Sequence, residues 1–286
     1  MKLLRFGPKG QEKPGLLDAD GQVRDLSNIL ADITPETLSP QGLAALRALD
    51  AKALPVVTSP GRLGVPFSGL GKFLAVGLNY SDHAAESGLP VPSEPVLFTK
   101  WENCLSGPND PVVLPKHSVK GDWEVELGFV IGTTARYVPL ERALDYVAGY
   151  CVVNDVSERE YQIERGGTWD KGKGFDTFGP VGPWLVTTDE IRDPQQLGLW
   201  LDLNGVRRQT GNTSTMIFNV AYLVHYISQF TTLKPGDLVT TGTPPGVGLG
   251  QKPPVFLKPG DVMRLGIDGL GEQTQEVHAY DTRWLD

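Results

Sequence analysis

The first part of the chain alternates between short apolar stretches and polar turns, which predicts strands more than long helices. Apolar stretches flank Asp20-Gly21, a dipeptide suited to a hairpin turn, so residues 1–27 are expected to form a strand, a turn and a second strand. Between residues 40 and 54, leucines and alanines recur at helical spacing. We therefore predict a small N-terminal β domain over residues 1–70.

Longer apolar runs follow a proline-containing boundary at residues 55–66. Residues 72–78 and 146–154 are nearly continuously apolar, and residues 124–131 alternate before they become apolar throughout. Such runs are typical of buried strands. The second, larger domain is predicted over residues 71–286.

The most regular helical pattern covers residues 215–230, where one apolar face follows the cap candidates Thr213 and Ser214. Residues 234–237 then predict a turn, followed by a short strand and an irregular loop rich in glycine and proline at residues 241–246. With 34 Gly and 23 Pro in 286 residues, many turns and short strands are expected. The whole pattern predicts a β-rich α+β fold.

Charge and cysteine content narrow the range of partners. The net charge of −8 argues against nucleic acid as a partner. No apolar run approaches the ~20 residues of a membrane span, and Arg5 and Pro8 interrupt any secretory apolar region, so we expect a cytoplasmic protein without a membrane partner. Cys104 and Cys151 belong to no Cys-x-x-Cys pair and are expected to be reduced and buried.

Two acidic residues open one of the predicted strands. On an extended strand, Glu124 and Glu126 project from the same face and bring two carboxylates together. A hard cation bound through oxygen ligands would compensate their charge, and Asp155, at the end of another predicted strand, is a candidate third ligand. The alternative is that the pair marks an exposed polar strand face.

A histidine and a glutamate lie three residues apart in residues 81–87, which are predicted to form a short helix or a mobile segment. His83 and Glu86 would then share one helical face, an arrangement in which a carboxylate orients an imidazole as general base. A surface pair without a catalytic task is the alternative.

Several polar residues follow Asp155. Arg159 can hold a carboxylate through its planar fork, Gln162 lies one helical turn further on, and Lys173 can stabilise developing negative charge. These properties suit an anionic keto acid. The alternative is that residues 157–165 form a solvated charged helix.

Some of these residues belong to short motifs that follow one another in a fixed order. The motifs are GLNYSDHAAE at residues 77–86, EVE at 124–126, NDVSER at 154–159, KGFD at 173–176 and TGTP at 241–244. In this order and spacing they resemble the fumarylacetoacetate hydrolase family, over a region from about residue 72 to the C-terminus. The resemblance implies that family's mixed β-sheet roll with flanking helices, together with a small N-terminal β domain, and a homodimer.

The resemblance also implies a metal site and a substrate. Mg²⁺ or Mn²⁺ would lie on Glu124, Glu126 and Asp155 and chelate a 2-oxo carboxylate. Fumarylacetoacetate hydrolase proper carries a further aspartate ligand upstream, which has no clear counterpart here, so the chain resembles the smaller branch with three carboxylates.

Roles for other residues follow from the same resemblance. Arg159, Gln162, Lys173 and the backbone or hydroxyl of Thr243 match positions that contact substrate. Two residues, His83 and Glu86, match the dyad that activates water, and Lys173 would stabilise the leaving enolate.

The segment 89–95 and the long N-terminal region most resemble bacterial 2,4-diketo-3-deoxy-L-rhamnonate hydrolases, some of which are labelled ureidoglycolate lyase. The expected reaction is hydrolysis of the C3–C4 bond of that 2,4-dioxo acid to pyruvate and L-lactate in sugar-acid catabolism. The alternatives are an oxaloacetate-type decarboxylase or tautomerase, a ureidoglycolate lyase, and an inactive metal-stabilised binding protein.

Overall fold

The computed structural model describes residues 1–82, 91–281 and 283. Strands predominate over helices in this part of the chain. In chain order they are β1 (Lys2–Phe6), β2 (Lys13–Leu17), β3 (Val23–Asp25), β4 (Phe73–Gly77), β5 (Val96–Lys100), β6 (Leu105–Ser106), β7 (Val112–Val113), β8 (Gly121–Asp122), β9 (Val125–Ile131), β10 (Val147–Asn154), β11 (Ser157–Glu158), β12 (Gly179–Thr187), β13 (Gly198–Leu203), β14 (Val206–Asn212), β15 (Leu238–Thr240), β16 (Val262–Ile267) and β17 (Gly271–His278).

The helices are short and end earlier or begin later than their sequence patterns predict. In the described part of the chain, the α-helices with both ends described are α1 (Pro40–Arg47), α2 (Asp170–Lys173) and α3 (Val220–Ser228). The predicted helix at residues 40–54 ends at Arg47, after which a 3₁₀ turn at Ala51–Ala53 is capped by Asp50. The prediction of a helix from residue 215 is also wrong, because Asn219 is the residue that caps α3, by accepting from the Tyr222 amide at 2.8 Å.

The central sheet has the order β3-β2-β1-β12-β10-β9-β15-β4-β5, with β6 paired to β12. The predicted turn at Asp20-Gly21 is confirmed, with Gly21 at a positive φ of 77° between β2 and β3. The prediction of two strands over residues 1–27 is wrong, because a second turn separates β1 from β2 and gives three strands. Strand β1 pairs with both β2 and β12, so the N-terminal strands continue the sheet that carries the rest of the fold. The division into domains at residue 70 stays a prediction.

Every residue of β9 and β10 is buried, which explains their continuous apolar runs. One reason is a second sheet, of order β14-β13-β16-β17-β7, whose strands β16 and β17 lie against β10. Parallel pairs, such as β15 with β4, occur beside antiparallel ones. The predicted β-rich α+β class is confirmed. No helix among the described residues has both the length and the apolar character required to cross a membrane.

Candidate metal centre and active site

The register between β9 and β10 brings the predicted metal ligands together. Glu126 lies opposite Val153, and beyond the last strand pair the Asp155 amide donates to the Glu124 carbonyl at 2.9 Å. One carboxylate oxygen from each of Glu124, Glu126 and Asp155 lies within 4.8 Å of the other two, and all three residues are buried. The alternative of an exposed polar strand face is therefore wrong.

Three cations surround these carboxylates. The Lys173 ammonium lies 2.7 Å from Glu124 Oε2 and 2.8 Å from Asp155 Oδ2. Arg159 contacts the other oxygen of Glu124 at 2.8 Å, and Lys100 contacts the other oxygen of Asp155 at 2.6 Å. The pairing offsets part of the cost of burying several like charges in one place.

The two glutamates have opposite pKa shifts. Burial by itself would raise the pKa of Glu124, but the charges of Lys173 and Arg159 outweigh it and lower the pKa to about 2. For Glu126, burial first and then the charges of Asp155 and Glu124 raise the pKa well above its ordinary value. A divalent cation at this position would relieve that repulsion.

The loop after β15 holds Glu126. The Glu126 carboxylate accepts one hydrogen bond from the Thr240 hydroxyl and another from the Gly242 amide, the latter at 2.8 Å. Gly242 has φ of 91°, and a Cβ there would lie 2.9 Å from the Asn79 Cβ, so only glycine allows this close approach. The Thr243 hydroxyl donates to the Val125 carbonyl at 2.9 Å. Of the two predicted substrate contacts at Thr243, backbone or hydroxyl, this geometry favours the backbone.

Arg159 and Gln162 are buried, with 5% and 8% of their surface exposed. Arg159 directly follows β11, and Gln162 lies in a π-helical turn at Glu160–Glu164. The alternative of a solvated charged helix over residues 157–165 is therefore wrong for these two side chains, although residues 163–165 are exposed. A Cβ on Gly172 would lie 2.4 Å from the backbone nitrogen of Gln162. Glycine there lets α2 approach this turn and bring Lys173 to the carboxylates.

A cavity of about 60 Å³ joins these side chains. Phe98 and Trp169, whose rings meet edge to face at 5.4 Å, and the segment Val76–Leu78 give it an apolar wall. Its polar lining consists of residues that the sequence singles out, namely Glu124, Glu126, Arg159, Gln162, Lys173 and Thr243. The recess therefore has one apolar wall and one charged wall.

The sequence of residues 72–278 matches the C-terminal region of fumarylacetoacetate hydrolase. The chain belongs to the fumarylacetoacetate hydrolase family. The match spans most of the chain and includes every residue that lines the cavity.

Known members of this family resemble the whole chain. A Burkholderia lata protein, named as a presumed hydrolase, is 64% identical over 284 residues, which cover 99% of this chain and 100% of that one. The structure of maleylpyruvate hydrolase from Sphingobium sp. SYK-6, in complex with manganese(II) and pyruvate, has a TM-score of 0.81 and 30% identity, covering 98% and 100% of the two chains.

The 5-carboxymethyl-2-hydroxymuconate delta-isomerase of Mycobacterium smegmatis has a TM-score of 0.78 and 32% identity, covering 98% of this chain and 100% of that one. The chain is thus similar along its length to both a hydrolase and an isomerase. We therefore place it among the family's hydrolases and isomerases of the acylpyruvate type.

The family's metal fits the residues present. Three buried carboxylates offer hard oxygen donors to a divalent cation such as Mg²⁺ or Mn²⁺. Among the residues that the structure describes, these three form the one group of acidic, histidine or cysteine side chains close enough to hold a metal. Cys104 and Cys151 are free and buried, as predicted.

The remaining predicted residues, His83 and Glu86, lie outside the described part of the chain, as does most of the predicted helix at residues 81–87. Their role in activating water stays a prediction.

Sequence reasoning missed two charged residues of the site and one wall of the cavity. Lys100 is fully buried at the end of β5, and its only signal is a charge directly after an apolar strand. Asp122 precedes Glu124 by two residues, so the alternation Asp122, Glu124, Glu126 could have drawn attention to it. Trp169 gave no signal, since aromatic residues are common in loops and cores alike.

Proposed function

We propose that this chain is a divalent-metal-dependent hydrolase that cleaves the C3–C4 bond of a 2,4-dioxo acid. The substrate that we propose is 2,4-diketo-3-deoxy-L-rhamnonate, which would give pyruvate and L-lactate. The observation that carries the proposal is the buried group of Glu124, Glu126 and Asp155, whose two glutamates line one cavity with Arg159 and Lys173. We also propose a homodimer, as the family implies, and a cytoplasmic location.

The metal and the cations divide the work at the pyruvate end of the substrate. When bound, Mg²⁺ or Mn²⁺ supplies a Lewis acid for the 1-carboxylate and 2-oxo group. Arg159 offers guanidinium N–H groups to the carboxylate, since its Nη1 and Nη2 each have a second proton beyond the bonds they make within the protein. Lys173, held by Glu124 and Asp155, is placed to stabilise the negative charge that develops on the leaving pyruvate fragment.

The water-activating step rests on the predicted dyad. His83, oriented by Glu86, would take a proton from a water whose oxygen attacks the C4 carbonyl. The C3–C4 bond then breaks, its electron pair passes to C3, and C3 receives a proton. One dioxo acid and one water therefore yield pyruvate and a second carboxylic acid.

The test is a screen of 2,4-dioxo acids with the purified protein and Mg²⁺ or Mn²⁺. Loss of the diketone absorbance reports cleavage, and mass spectrometry identifies the products. We expect pyruvate from acylpyruvates and pyruvate with L-lactate from the rhamnonate-derived substrate. If no acylpyruvate yields pyruvate, the proposed function fails.

A decarboxylase or tautomerase is the second candidate, because a site that stabilises a pyruvate-like enolate works equally well without an attacking water. The similarity to a delta-isomerase along the whole chain supports this second candidate function. Release of CO₂ from oxaloacetate, or isomerisation without cleavage, would identify it. Glyoxylate and urea would indicate a ureidoglycolate lyase, and metal binding without any turnover would indicate a binding protein.

The variant His83→Ala separates the hydrolase from this second candidate. It should lose hydrolysis and keep the binding of metal and of oxalate, a mimic of the 2-oxo carboxylate. Loss of metal binding in that variant would contradict the proposed role of His83.

A further inference from the structure

Asp122 is a carboxylate of the site region that the proposed reaction does not use. It ends β8, two residues before Glu124, and none of its surface is exposed. A fully buried carboxylate is costly unless hydrogen bonds and positive charge compensate it. Its partners therefore show what it holds in place.

Both oxygens of Asp122 accept two hydrogen bonds. Oδ1 accepts from the Trp123 amide at 2.8 Å and the Gly248 amide at 2.6 Å, while Oδ2 accepts from the Leu249 amide at 3.0 Å and from Arg159 Nε at 2.7 Å. Three of these donors are backbone groups with fixed positions. The fourth belongs to a flexible side chain, which is the group that Asp122 can orient.

Each of the three guanidinium nitrogens of Arg159 contacts a different side chain of the protein. Its Nε donates to Asp122, its Nη2 lies 2.8 Å from Glu124 Oε1, and its Nη1 donates to Gln162 Oε1 at 2.9 Å. A guanidinium has five N–H groups in one plane, so two protons remain for a ligand in the cavity. The bond from Nε fixes the plane in which those two protons lie.

The charge of Asp122 matters as well as its shape. Glu124 is shared between Arg159 and Lys173, so it cannot by itself balance both cations. Asp122 supplies the second negative charge beside Arg159, and its bonds to Gly248 and Leu249 tie that charge to the segment that follows the glycine- and proline-rich loop.

We propose that Asp122 is a positioning residue that orients the Arg159 guanidinium in the cavity. In the proposed function, the oriented guanidinium receives the substrate carboxylate. Only this binding of substrate rests on the proposed function. Asp122 itself touches neither metal nor substrate. A purely structural role, in which Asp122 only anchors residues 248 and 249, is the competing explanation.

The variant Asp122→Asn separates the two roles. An asparagine oxygen can keep the bonds to Trp123 and Gly248, but its NH₂ group faces the donors of Arg159 and Leu249 and cannot accept from them. In ¹⁵N-labelled protein, the Arg159 Nε–H resonance, assigned by its absence in Arg159→Lys, should be protected from exchange in the wild type and lose that protection in Asp122→Asn. An unprotected wild-type resonance, or one unchanged in Asp122→Asn, would overturn the proposal.

The second measurement is the dissociation constant of oxalate at saturating Mn²⁺, by calorimetry. Loss of an oriented, charge-assisted contact predicts a weakening of about tenfold in Asp122→Asn, with Mn²⁺ affinity changed much less. In an Arg159→Met background the same substitution should have almost no effect, because the group it orients is gone. Equal effects in both backgrounds would mean that Asp122 acts independently of Arg159 and would overturn the proposal.

Two further variants complete the design. Asp122→Glu keeps the charge and should restore part of the oxalate affinity. Asp237→Asn alters another fully buried carboxylate, which accepts from the Lys72 and Lys234 amides at the far end of β15 from Gly242. Asp237→Asn should lower the melting temperature without weakening the binding of oxalate. If wild-type protein binds no oxalate while the resonance behaves as expected, the proposed function fails and the role of Asp122 stands.

Discussion

Two clusters of charged side chains in this molecule differ in how their charges are arranged. The site cluster consists of Glu124, Glu126 and Asp155 with Lys100, Lys173 and Arg159. The N-terminal cluster consists of Arg5 and Arg62 with Glu12, Asp32 and Asp110. All of these except Asp32 line a cavity of about 470 Å³, several times the size of the site cavity. By size alone, the N-terminal cavity would be the better candidate for an active site.

The arrangement of charge reverses that ranking. In the N-terminal cluster opposite charges alternate, so that Arg62 lies 2.7 Å from Glu12 and 2.6 Å from Asp110, and Arg5 lies 2.7 Å from Asp32. In the site cluster, three carboxylates face one another in the interior. Like charges held together cost free energy, and such groups are common at functional sites. In the N-terminal cluster, by contrast, each carboxylate lies beside an arginine.

The largest expected difference between the clusters concerns turnover. Lys173→Met should lower kcat by about 10² to 10³, the usual effect of removing one group that stabilises charge in the transition state. Metal binding should be kept or strengthened, because the variant lacks the ammonium group that repels a metal cation. Steady-state kinetics and Mn²⁺ titration measure both.

The matched control is Arg62→Met, which removes a cation of the N-terminal cluster and should leave kcat unchanged. If both variants lost activity to the same extent, the distinction between the clusters would collapse. A loss of metal binding in Lys173→Met would assign that lysine a structural role.

A smaller effect is expected on metal affinity. Glu126→Gln removes one proposed ligand without changing shape, and we expect Mn²⁺ binding to weaken by about a hundredfold or more, beyond the 10- to 100-fold typical of residues that only support a ligand. Calorimetry or the Mn²⁺ paramagnetic signal measures it. Asp110→Asn is the control, and Mn²⁺ affinity equal to wild type in Glu126→Gln would remove this residue from the metal site.

Much of this site could be predicted from sequence because its parts are local. The spacing of Glu124 and Glu126 fixes their common face, and the apolar runs locate β9 and β10 as buried strands. Asp155 lies at the end of the second run, so its approach to Glu124 follows from ordinary antiparallel pairing.

Partners that are distant in sequence could not be predicted in this way. Lys100 reaches Asp155 from another strand, and Asp122 is defined by bonds to residues 248 and 249, more than 120 positions away. The apolar pattern predicts too early a start for the helix that begins at residue 220, because the pattern continues upstream of the cap, Asn219, and does not by itself choose between caps.

Proton release distinguishes the clusters further. Burial and the neighbouring charges of Asp155 and Glu124 raise the pKa of Glu126, so below that pKa the metal-free carboxyl carries a proton that a metal would displace. Metal affinity should therefore increase with pH until the pH exceeds the raised pKa of Glu126. Metal binding should release up to one proton. Calorimetry in buffers of different ionisation enthalpy measures this number.

The same shift has a consequence for stability without metal. An acid whose pKa is raised by folding stabilises the fold at pH values below its unfolded pKa, and this contribution is lost as the pH rises through the folded pKa. The metal-free wild type should lose stability over that window, whereas Glu126→Gln should not. Identical pH profiles of the two metal-free proteins would contradict the raised pKa.

The smallest expected effect lies in the N-terminal cluster. Arg62→Met leaves Glu12, with 8% of its side chain exposed, without its nearest cation, while Asp110 keeps a bond from the Gly107 amide. Glu12 keeps a longer contact with Arg5, at 3.7 Å. We expect the free energy of unfolding to fall by about 1 kcal/mol, the usual effect of losing one hydrogen-bonded partner. Denaturant unfolding measures it, and Mn²⁺ affinity should not change. Because alternating charges stabilise one another, removing a cation there weakens the fold, whereas in the site cluster the loss should appear as catalysis.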